Sequence, residues 1–238
     1  MTQALNIQSN TAAPTRCGII AALCAGVFRR LFSGLGLHVC GIYSKELKAS
    51  TDPLPEIPGL SFQLFDKTDA ELLIARVRHP ELDLSEQFIH RALAKGDVCA
   101  AILCNDEVVS YIWLAFTPTH DTDGVYITFR EGDLYCYKAL TLPEFRGRRL
   151  PRLLGILTDR YCVTRGCTHT IAYIDIHNQV SIRAVAAQGG CRIGFAGYLK
   201  RGPIFVSFRT QGVRRCGFRF FMPDRKLKAP QYSRQELL

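Results

Sequence analysis

One short stretch of the sequence combines four arginines with a glycine-containing turn: Leu140–Leu154, which reads LTLPEFRGRRLPRLL. The pattern predicts the end of a strand, a turn around Gly147 and the start of a helix. A helix N-terminus leaves backbone N–H groups unpaired and carries partial positive charge, so it is suited to binding phosphate. A solvated basic turn with no ligand is the alternative. The arginines are Arg146, Arg148, Arg149 and Arg152.

A second motif follows one strand later, in the segment Asp175–Arg183 (DIHNQVSIR), which is followed by Gln188-Gly189-Gly190. It predicts that a strand ends near Ile176 and that a helix begins near Asn178. Both motifs therefore lie where a strand passes into a helix. Either motif alone is a weak signal, and the two in this order are more specific.

The composition describes a globular protein that can bury a hydrophobic core, with 47% apolar and 21% charged residues. The ten cysteines lack the close pairs of zinc sites, so no metal is expected and buried, reduced thiols are favoured. Of the net charge of +9, residues 200–238 contribute +8, with ten Lys/Arg against two acidic residues. Such a surface favours anionic partners, although no basic–aromatic repeat or zinc-finger spacing supports specific nucleic-acid recognition.

An apolar stretch near the N-terminus, Cys17–Phe28, is shorter than the ~20 residues that a bilayer-spanning helix needs. Residues 17–35 nevertheless predict an amphipathic helix, because their apolar side chains recur at helical spacing. Packing on the protein's own domain is favoured over an interfacial helix that contacts a membrane surface. The apolar positions are Ile20, Cys24, Val27, Leu31 and Leu35.

Three segments are expected along the chain. Residues 1–55 form an N-terminal extension with the amphipathic helix and a run, Leu37–Tyr43, that suits an edge strand; residues 56–222 form one domain, and residues 223–238 a basic tail. From Leu60 the predicted order is β, α, α, β, β, β, α, β, α, β, β, with strands at Leu60–Phe65 and Ile204–Arg209 among them. Ser85 is expected to cap the second helix, and Asn105-Asp106-Glu107 suits a hairpin turn. Two further short strands are expected at Val125–Phe129 and near Cys216–Phe221. The strand–helix–strand step through Pro151–Arg165 requires a parallel pair, whereas consecutive strands favour antiparallel neighbours. The fold class is therefore α+β, a twisted mixed sheet with helices on both faces.

The order of elements and the two motifs resemble the GNAT superfamily, the GCN5-related N-acyltransferases that use acyl-coenzyme A, over about residues 60–221. In that family the turn after the fourth strand reads Arg/Gln-x-x-Gly-x-Gly/Ala, and its backbone N–H groups hold the pyrophosphate of coenzyme A. Here Arg146–Pro151 (RGRRLP) stands at that place, and Asn178 and Ser181 match the family's Asn-x-x-Ser/Ala helix. The resemblance implies a three-layer fold and donor-binding residues Leu140, Thr141, Leu142, Arg146, Gly147, Arg148, Arg149, Leu150, Arg152, Asn178 and Ser181. It also implies that the two strands that flank the turn splay apart, with the thioester between them. The loop Thr117–Gly132 is expected to line the acceptor pocket.

The sequence departs from the family pattern at three functional positions. Arg149 replaces the central glycine, and Pro151 replaces the last small residue and has no N–H group to offer a phosphate. The extra arginines can compensate by direct ion pairing with phosphate. In many members a tyrosine protonates the leaving thiolate, and Val185 stands at that place here.

Six side chains on the strands that flank the turn are candidates for acid–base chemistry. A lysine-like amine with a pKa near ~10.4 costs roughly 4.6 kcal/mol to deprotonate at pH 7, and an α-amine near ~7.8 about 1 kcal/mol, so a base is expected for the first and optional for the second. Each candidate has a structural alternative: core packing for the tyrosines, helix capping for Asp175, and a loop position for His177. Asp133, Tyr135 and Asp175 are favoured. Strand alternation groups Asp133, Tyr135 and Tyr137 on the first strand, and Tyr173, Asp175 and His177 on the second.

These features predict a cytoplasmic N-acyltransferase, most simply an N-acetyltransferase, that moves an acyl group from acyl-coenzyme A to a primary amine of a small molecule or sugar. Direct attack fits better than a cysteine acyl-enzyme, because no Cys–His pair is evident in the sequence. Two alternatives stay open. An acidic acyl carrier protein would suit the altered glycine turn and the basic surface, and a non-catalytic sensor or scaffold would suit the missing tyrosine.

Overall fold

A computed structural model describes residues 36–48, 57–122 and 124–223. The predicted amphipathic helix, most of the proline-rich boundary at Thr51–Gly59 and nearly all of the basic tail lie outside these residues. Within them, no helix is long and apolar enough to cross a membrane. The strands are β1 (Leu37–Glu46), β2 (Leu60–Phe65), β3 (Val98–Cys104), β4 (Glu107–Ala115), β5 (Thr119–His120), β6 (Tyr126–Thr128), β7 (Asp133–Thr141), β8 (His169–Asp175), β9 (Cys191–Arg201), β10 (Ile204–Arg209) and β11 (Arg219–Phe221), and the helices are α1 (Ala70–Arg76), α2 (Glu86–Ala94), α3 (Leu150–Thr164), α4 (Gln179–Ala187) and α5 (Gln211–Arg215).

Eight of these strands form one mixed sheet in the order β10-β9-β1-β8-β7-β4-β3-β2. Its neighbours are antiparallel except β7 and β8, which are parallel and are connected through α3. The predicted parallel step is therefore confirmed. A second sheet of three short strands, β11-β6-β5, joins the loop after β4 to the C-terminal region. The sequence pattern predicts strands at β6 and β11 but not their pairing into a second sheet.

Helices cover both faces of the large sheet, as two adjacent residues of β4 show. Successive side chains of a strand point to opposite faces. Trp113 meets Phe88 of α2 with 5.1 Å between ring centroids, whereas Leu114 shares a buried cluster with Cys162 of α3. The predicted α+β class, with helices on both faces of a mixed sheet, is confirmed.

The position of β1 corrects one expectation from the sequence. The run Leu37–Tyr43 is a strand, but it lies inside the sheet, where Cys40 is opposite both Asp175 of β8 and Ala196 of β9. A strand that is paired on both sides buries its side chains, and Cys40 and Ile42 are fully buried. Residues 37–46 therefore belong to the sheet and not to an N-terminal extension, and β10 forms the edge.

The densest packing lies on one side of the parallel pair, among β2, β3, β4, α1 and α2. Ser85 caps α2 as predicted, because its hydroxyl accepts a hydrogen bond from the backbone N–H of Phe88 at 3.2 Å. Each fully buried large apolar side chain there contributes about 1.5–3 kcal/mol to the hydrophobic stabilisation. This cluster packs against β4, and β4 pairs with β7. The largest fully buried side chains include Phe65, Leu73, Ile89, Tyr111 and Trp113.

Candidate active site

The two parallel strands separate after their first residues. Pairing covers Asp133 with His169, Leu134 with Thr170 and Tyr135 with Ile171, and it ends there. The strands themselves continue to Thr141 and Asp175, so a gap opens between their C-terminal halves. Ligands of open α/β sheets bind at the carboxyl ends of the strands. The resemblance implied such a gap, and the structure has it.

A bulge in β7 lies directly beside this gap. One residue of β4, Ile112, stands opposite two residues of β7, Lys138 and Ala139. Lys138 has a φ of 43°, a left-handed conformation that costs a non-glycine residue about 1–3 kcal/mol. Its amino group is held 2.6 Å from the Asp83 carboxylate and 5.2 Å from the ring centre of Phe88. A bulge bends its strand and re-aims the neighbouring groups, so it helps to turn β7 away from β8.

We call residues 146–152, between the end of β7 and the first turn of α3, the corner. Gly147 and Arg149 have left-handed φ values of 77° and 59°, and residues 146–149 are exposed to solvent. Alternating left-handed residues aim successive N–H groups into a concavity that binds anions, and α3 adds the positive end of its dipole. Within the described part of the chain, four consecutive backbone N–H groups make no hydrogen bond: those of Gly147, Arg148, Arg149 and Leu150.

The corner keeps a glycine-like backbone although the sequence has an arginine there. Arg149 is the N-cap of α3 and adopts the left-handed conformation at a cost of about 1–2 kcal/mol. Pro151 is the second residue of the helix, where it offers no N–H group. Arg149 thus adopts a backbone conformation that glycine would adopt without strain, and it adds a charged side chain at this position.

The side chains predicted to bind the donor divide into exposed and buried groups. Arg146 folds back so that its Nε donates to the carbonyl of Thr141 at 3.2 Å, and the Arg148 guanidinium lies 5.0 Å from the ring centre of Phe145. Leu142 and Leu150 are fully buried, so only their backbones can meet a ligand.

Three further residues that are predicted to bind the donor lie at the end of β7 and at the start of α3. Leu140 and Thr141 are half-buried, and the Thr141 hydroxyl lies 2.7 Å from that of Ser110. Arg152 is exposed in the first turn of α3.

A cleft of about 1670 Å³ enters the gap between β7 and β8. It is larger than the ~300–1,000 Å³ of common small-molecule pockets, so it can hold parts of two substrates. Residues 117–122 of the loop after β4 form one wall of the cleft. That this wall binds the acceptor stays a prediction. The α4 side contributes Asn178, Ser181 and Val185.

A row of three stacked tyrosines crosses the gap on the α2 side of the sheet. The rings of Tyr137 and Tyr135 are 5.7 Å apart and nearly parallel, and those of Tyr135 and Tyr173 are 6.1 Å apart. Strand alternation groups Tyr135 and Tyr137 on one face of β7, and the structure brings Tyr173 of β8 next to them. In the part of the chain that is described, the Tyr135 hydroxyl has no hydrogen-bond partner, and the residue lines the cleft.

Two aspartates stand at the ends of this row, the buried Asp97 and the half-buried Asp121, and sequence reasoning missed both. The Tyr137 hydroxyl donates to Asp97 Oδ2 at 2.5 Å, and the Tyr173 hydroxyl donates to Asp121 Oδ1 at 2.6 Å. Burial raises the pKa of both carboxyl groups above the ordinary value, and the hydrogen bonds from the tyrosines oppose this rise. We call Asp97, Asp121, Tyr135, Tyr137 and Tyr173 the cleft floor.

Of the three favoured catalytic residues, the structure brings Tyr135 and Asp175 into the cleft and sets Asp133 apart. Asp133 lies at the closed end of the gap, where its buried carboxylate accepts a hydrogen bond from Arg130 at 3.0 Å. Asp175 lines the cleft, but its Oδ1 accepts from the backbone N–H of His177 at 2.8 Å. His177 itself is exposed and lies outside the cleft lining.

The second motif forms the cap of α4. Asn178 is its N-cap, and its Oδ1 accepts a hydrogen bond from the backbone N–H of Ser181 at 3.1 Å. Val185 faces the cleft from the same helix. The place where the resembling family has its general acid is therefore at the site, and valine cannot donate a proton there.

One cysteine, Cys136, lines the cleft on the face opposite the tyrosine row. Burial raises the pKa of its thiol to about 12, so the thiol stays protonated near neutral pH. A protonated thiol is a poor nucleophile, which favours direct attack over a cysteine acyl-enzyme.

No protein-family model matches the chain, and no curated protein matches it. Similar solved structures include a GCN5-related N-acetyltransferase from Sphaerobacter thermophilus (12% identity, TM-score 0.45, 79% of this chain and 57% of that one). Another is a tandem GNAT protein from the clavulanic acid biosynthesis pathway (14%, 0.46, 81% and 57%). A third is an aminoglycoside acetyltransferase from an uncultured soil metagenomic sample (8%, 0.41, 55% and 87%).

The chain thus spans little more than half of the first two structures. At these identities and TM-scores, the likeness decides nothing about activity.

Proposed function

We propose that this chain is an acyl-coenzyme A-dependent N-acyltransferase, most simply an acetyltransferase, that acts on a primary amine by direct attack. One observation carries the proposal: an exposed corner with four unpaired N–H groups lies at the open end of a gap between two parallel strands. A donor with a diphosphate at one end and a thioester at the other has a matching place for each. The described cysteines are free thiols, which suits a reducing cytoplasm.

The corner fits the diphosphate. Oriented backbone N–H groups and a helix N-terminus bind phosphate oxygens without any side chain, and guanidinium groups add paired hydrogen bonds. The backbone at Gly147 faces open space, because a Cβ built there would meet nothing within 4 Å, so a phosphate has room to approach it. The residues that would hold the donor are Arg146, Gly147, Arg148, Arg149, Leu150 and Arg152, with the backbone of Leu140, Thr141 and Leu142.

The gap fits the thioester end. From residue 136 onward β7 has no pairing with β8, so its peptide groups on that side are free to polarise a carbonyl oxygen. Asn178 and Ser181 line the opposite wall. Tyr135 lies at the apex of the gap with an unused hydroxyl, and we assign it the hydrogen bond to the departing sulfur in place of the family's tyrosine.

Isothermal calorimetry tests the donor site. Coenzyme A should bind, and Arg146→Ala should weaken it, while Arg201→Ala in the exposed end of β9 should leave the affinity unchanged. Thiol release from acetyl-coenzyme A should then appear with at least one amine of a panel. Absence of binding heat at millimolar coenzyme A would overturn the proposal.

An acyl carrier protein is a second candidate donor, and Pro151 is the observation that favours it. A carrier presents a single phosphate, so the missing N–H group of Pro151 should lower its affinity less than it lowers the affinity of a diphosphate donor. Acetyl-carrier protein and acetyl-coenzyme A can be compared as donors at low and high salt. Preference for the carrier, lost at high salt, would support this candidate, and binding without turnover of either donor would indicate a sensor.

A further inference from the structure

One carboxylate of the cleft floor, that of Asp121, has no lysine or arginine partner among the described residues, and this indicates the class of the acceptor. Asp121 sits on a tight turn, in which its own N–H donates to the carbonyl of Val125 and the N–H of Val125 donates to the carbonyl of Thr122, both at 2.8 Å. Its carboxylate is half-buried, lines the cleft and is fixed by the Tyr173 hydroxyl at 2.6 Å. Two backbone hydrogen bonds thus fix the turn that carries Asp121.

The carboxylates of Asp97, Asp133 and Asp121 differ in their counter-ions. Asp97 has Lys95 at 2.6 Å and Asp133 has Arg130 at 3.0 Å. In the described residues Asp121 has no lysine or arginine within ion-pair distance. A carboxylate removed from water without a cation is costly, so the cleft favours a ligand that brings a positive charge.

The groups that surround Asp121 are two tyrosines, a cysteine and two histidines, with no lysine or arginine among the described residues. Tyr173 comes from β8, Tyr135 from β7, Cys40 and His38 from β1, and His120 from β5. The Nε2 atom of His120 accepts a backbone N–H from Gly124 at 3.4 Å. Aromatic rings complete the wall, since Tyr126 and Phe221 also line the cleft, with 5.7 Å between their ring centroids, and ring faces attract cations.

We infer that the acceptor is a primary alkylammonium ion and that Asp121 is the base that takes its proton. The inference rests on the proposed N-acyltransferase function and deepens it. The ammonium pairs with Asp121 and transfers one proton to the carboxylate. The neutral nitrogen attacks the thioester carbon, the C–N bond forms and the C–S bond breaks. A second proton passes from the nitrogen to the leaving sulfur, and Asp121 returns its proton to water.

A base matters for this class of amine more than for others. An alkylamine is almost wholly protonated at pH 7, whereas an arylamine is neutral and needs no base. Burial keeps the pKa of Asp121 above the ordinary range, which makes it a stronger base than an exposed aspartate. A neutral acceptor would leave the carboxylate without a counter-ion in the closed complex.

The test compares an alkylamine series with an arylamine series in the full-length protein, with acetyl-coenzyme A as donor. Asp121→Asn keeps the acceptor atom for Tyr173 and removes the charge. We expect kcat/KM for the best alkylamine to fall ~100-fold or more, within the range of general-base effects. The rate should recover as the pH approaches the pKa of the amine, where the neutral amine forms without a base. Tyr173→Phe should move the acidic limb of the wild-type pH profile to higher pH, because the hydroxyl stabilises the charged carboxylate.

Two measurements separate the possible failures. Glu131→Gln removes an exposed charge from the next loop, between β6 and β7, and should leave kcat/KM unchanged. Coenzyme A binding should be equal in wild type and Asp121→Asn. An Asp121→Asn rate within threefold of wild type, or acylation of arylamines but not alkylamines, would overturn the inference alone. If the wild-type protein does not bind coenzyme A, the proposed function is overturned as well.

Discussion

The corner and the cleft floor are built in opposite ways. The corner is exposed, basic and contiguous in sequence, and its main donors are backbone N–H groups. The cleft floor is largely buried and acidic, and it is assembled from side chains of β7, β8, the start of β3 and the loop after β5. Phosphate can be held in water by many weak contacts, whereas proton transfer benefits from a group that burial has made more basic. Changes in the corner should therefore alter donor affinity, and changes in the floor should alter turnover.

The largest effect that can break this comparison is charge reversal in the corner. The triple variant Arg146→Glu, Arg148→Glu, Arg149→Glu should lower coenzyme A affinity by ~100-fold, because three exposed arginines at up to about 1 kcal/mol each contribute up to about 3 kcal/mol and 1.4 kcal/mol is tenfold. Calorimetry at two salt concentrations measures it.

The matched control for that variant is Arg201→Glu, Arg214→Glu, Arg215→Glu, which makes the same change of net charge at exposed positions outside the corner. It should alter coenzyme A affinity less than threefold. Equal losses in the two triple variants would mean that general attraction, and not the corner, binds the donor.

A smaller effect should separate backbone shape from charge. Gly147 and Gly166 have φ values of 77° and 78°, and a Cβ at either would meet nothing within 4 Å. Alanine at each should therefore cost about the same 1–2 kcal/mol of folding stability in urea denaturation. Only Gly147→Ala should also weaken coenzyme A, by roughly tenfold, since only that turn aims N–H groups at the corner. A Gly147→Ala variant that binds normally would show that the arginines suffice.

The corner could be predicted from sequence because its residues are neighbours in the chain, and a basic glycine turn before an apolar helix is a local pattern. The strand limits are local too, and β2 and β10 begin and end where the alternation predicts. The hairpin turn before β4 also follows from its residues, since Asn105 and Asp106 both tolerate the left-handed conformation that they adopt.

The cleft floor could not be predicted in the same way. Asp97 follows a helix and Asp121 sits in a polar loop, and nothing local shows that each will meet a tyrosine from a distant strand. The insertion of β1 between β8 and β9 escapes local patterns for the same reason. A buried position for a loop aspartate depends on which elements pack over it, and that is a property of the whole fold.

A still smaller effect should sharpen the account of Arg149. Glycine at this position removes the left-handed strain but adds unfolded-state entropy, so Arg149→Gly should change stability by less than ~1 kcal/mol, in the stabilising direction. Arg148→Gly, where φ is not left-handed, should destabilise by a similar amount. Coenzyme A affinity should fall only about threefold to fivefold in both variants, as each loses one exposed charge. A destabilised Arg149→Gly variant would mean that the arginine side chain, and not the backbone, holds the turn.

The smallest expected effect lies in the pH dependence of stability, and it has opposite signs at two aspartates. Burial raises the folded-state pKa of Asp121, so the folded protein binds more protons than the unfolded chain between the ordinary aspartate pKa and the raised value. Stability is therefore lost as the pH rises through that window, and Asp121→Asn should have the higher Tm at pH 8, with the difference shrinking toward pH 4. Asp66 is exposed, and hydrogen bonds from Thr68 lower its pKa, so Asp66→Asn should have the lower Tm at pH 8 and approach wild type on acidification. Calorimetric scans of both variants across this range decide the matter: a Tm gain for Asp121→Asn that does not depend on pH would mean that the carboxylate is not held in the charged, uncompensated state that acid–base work in the cleft floor requires.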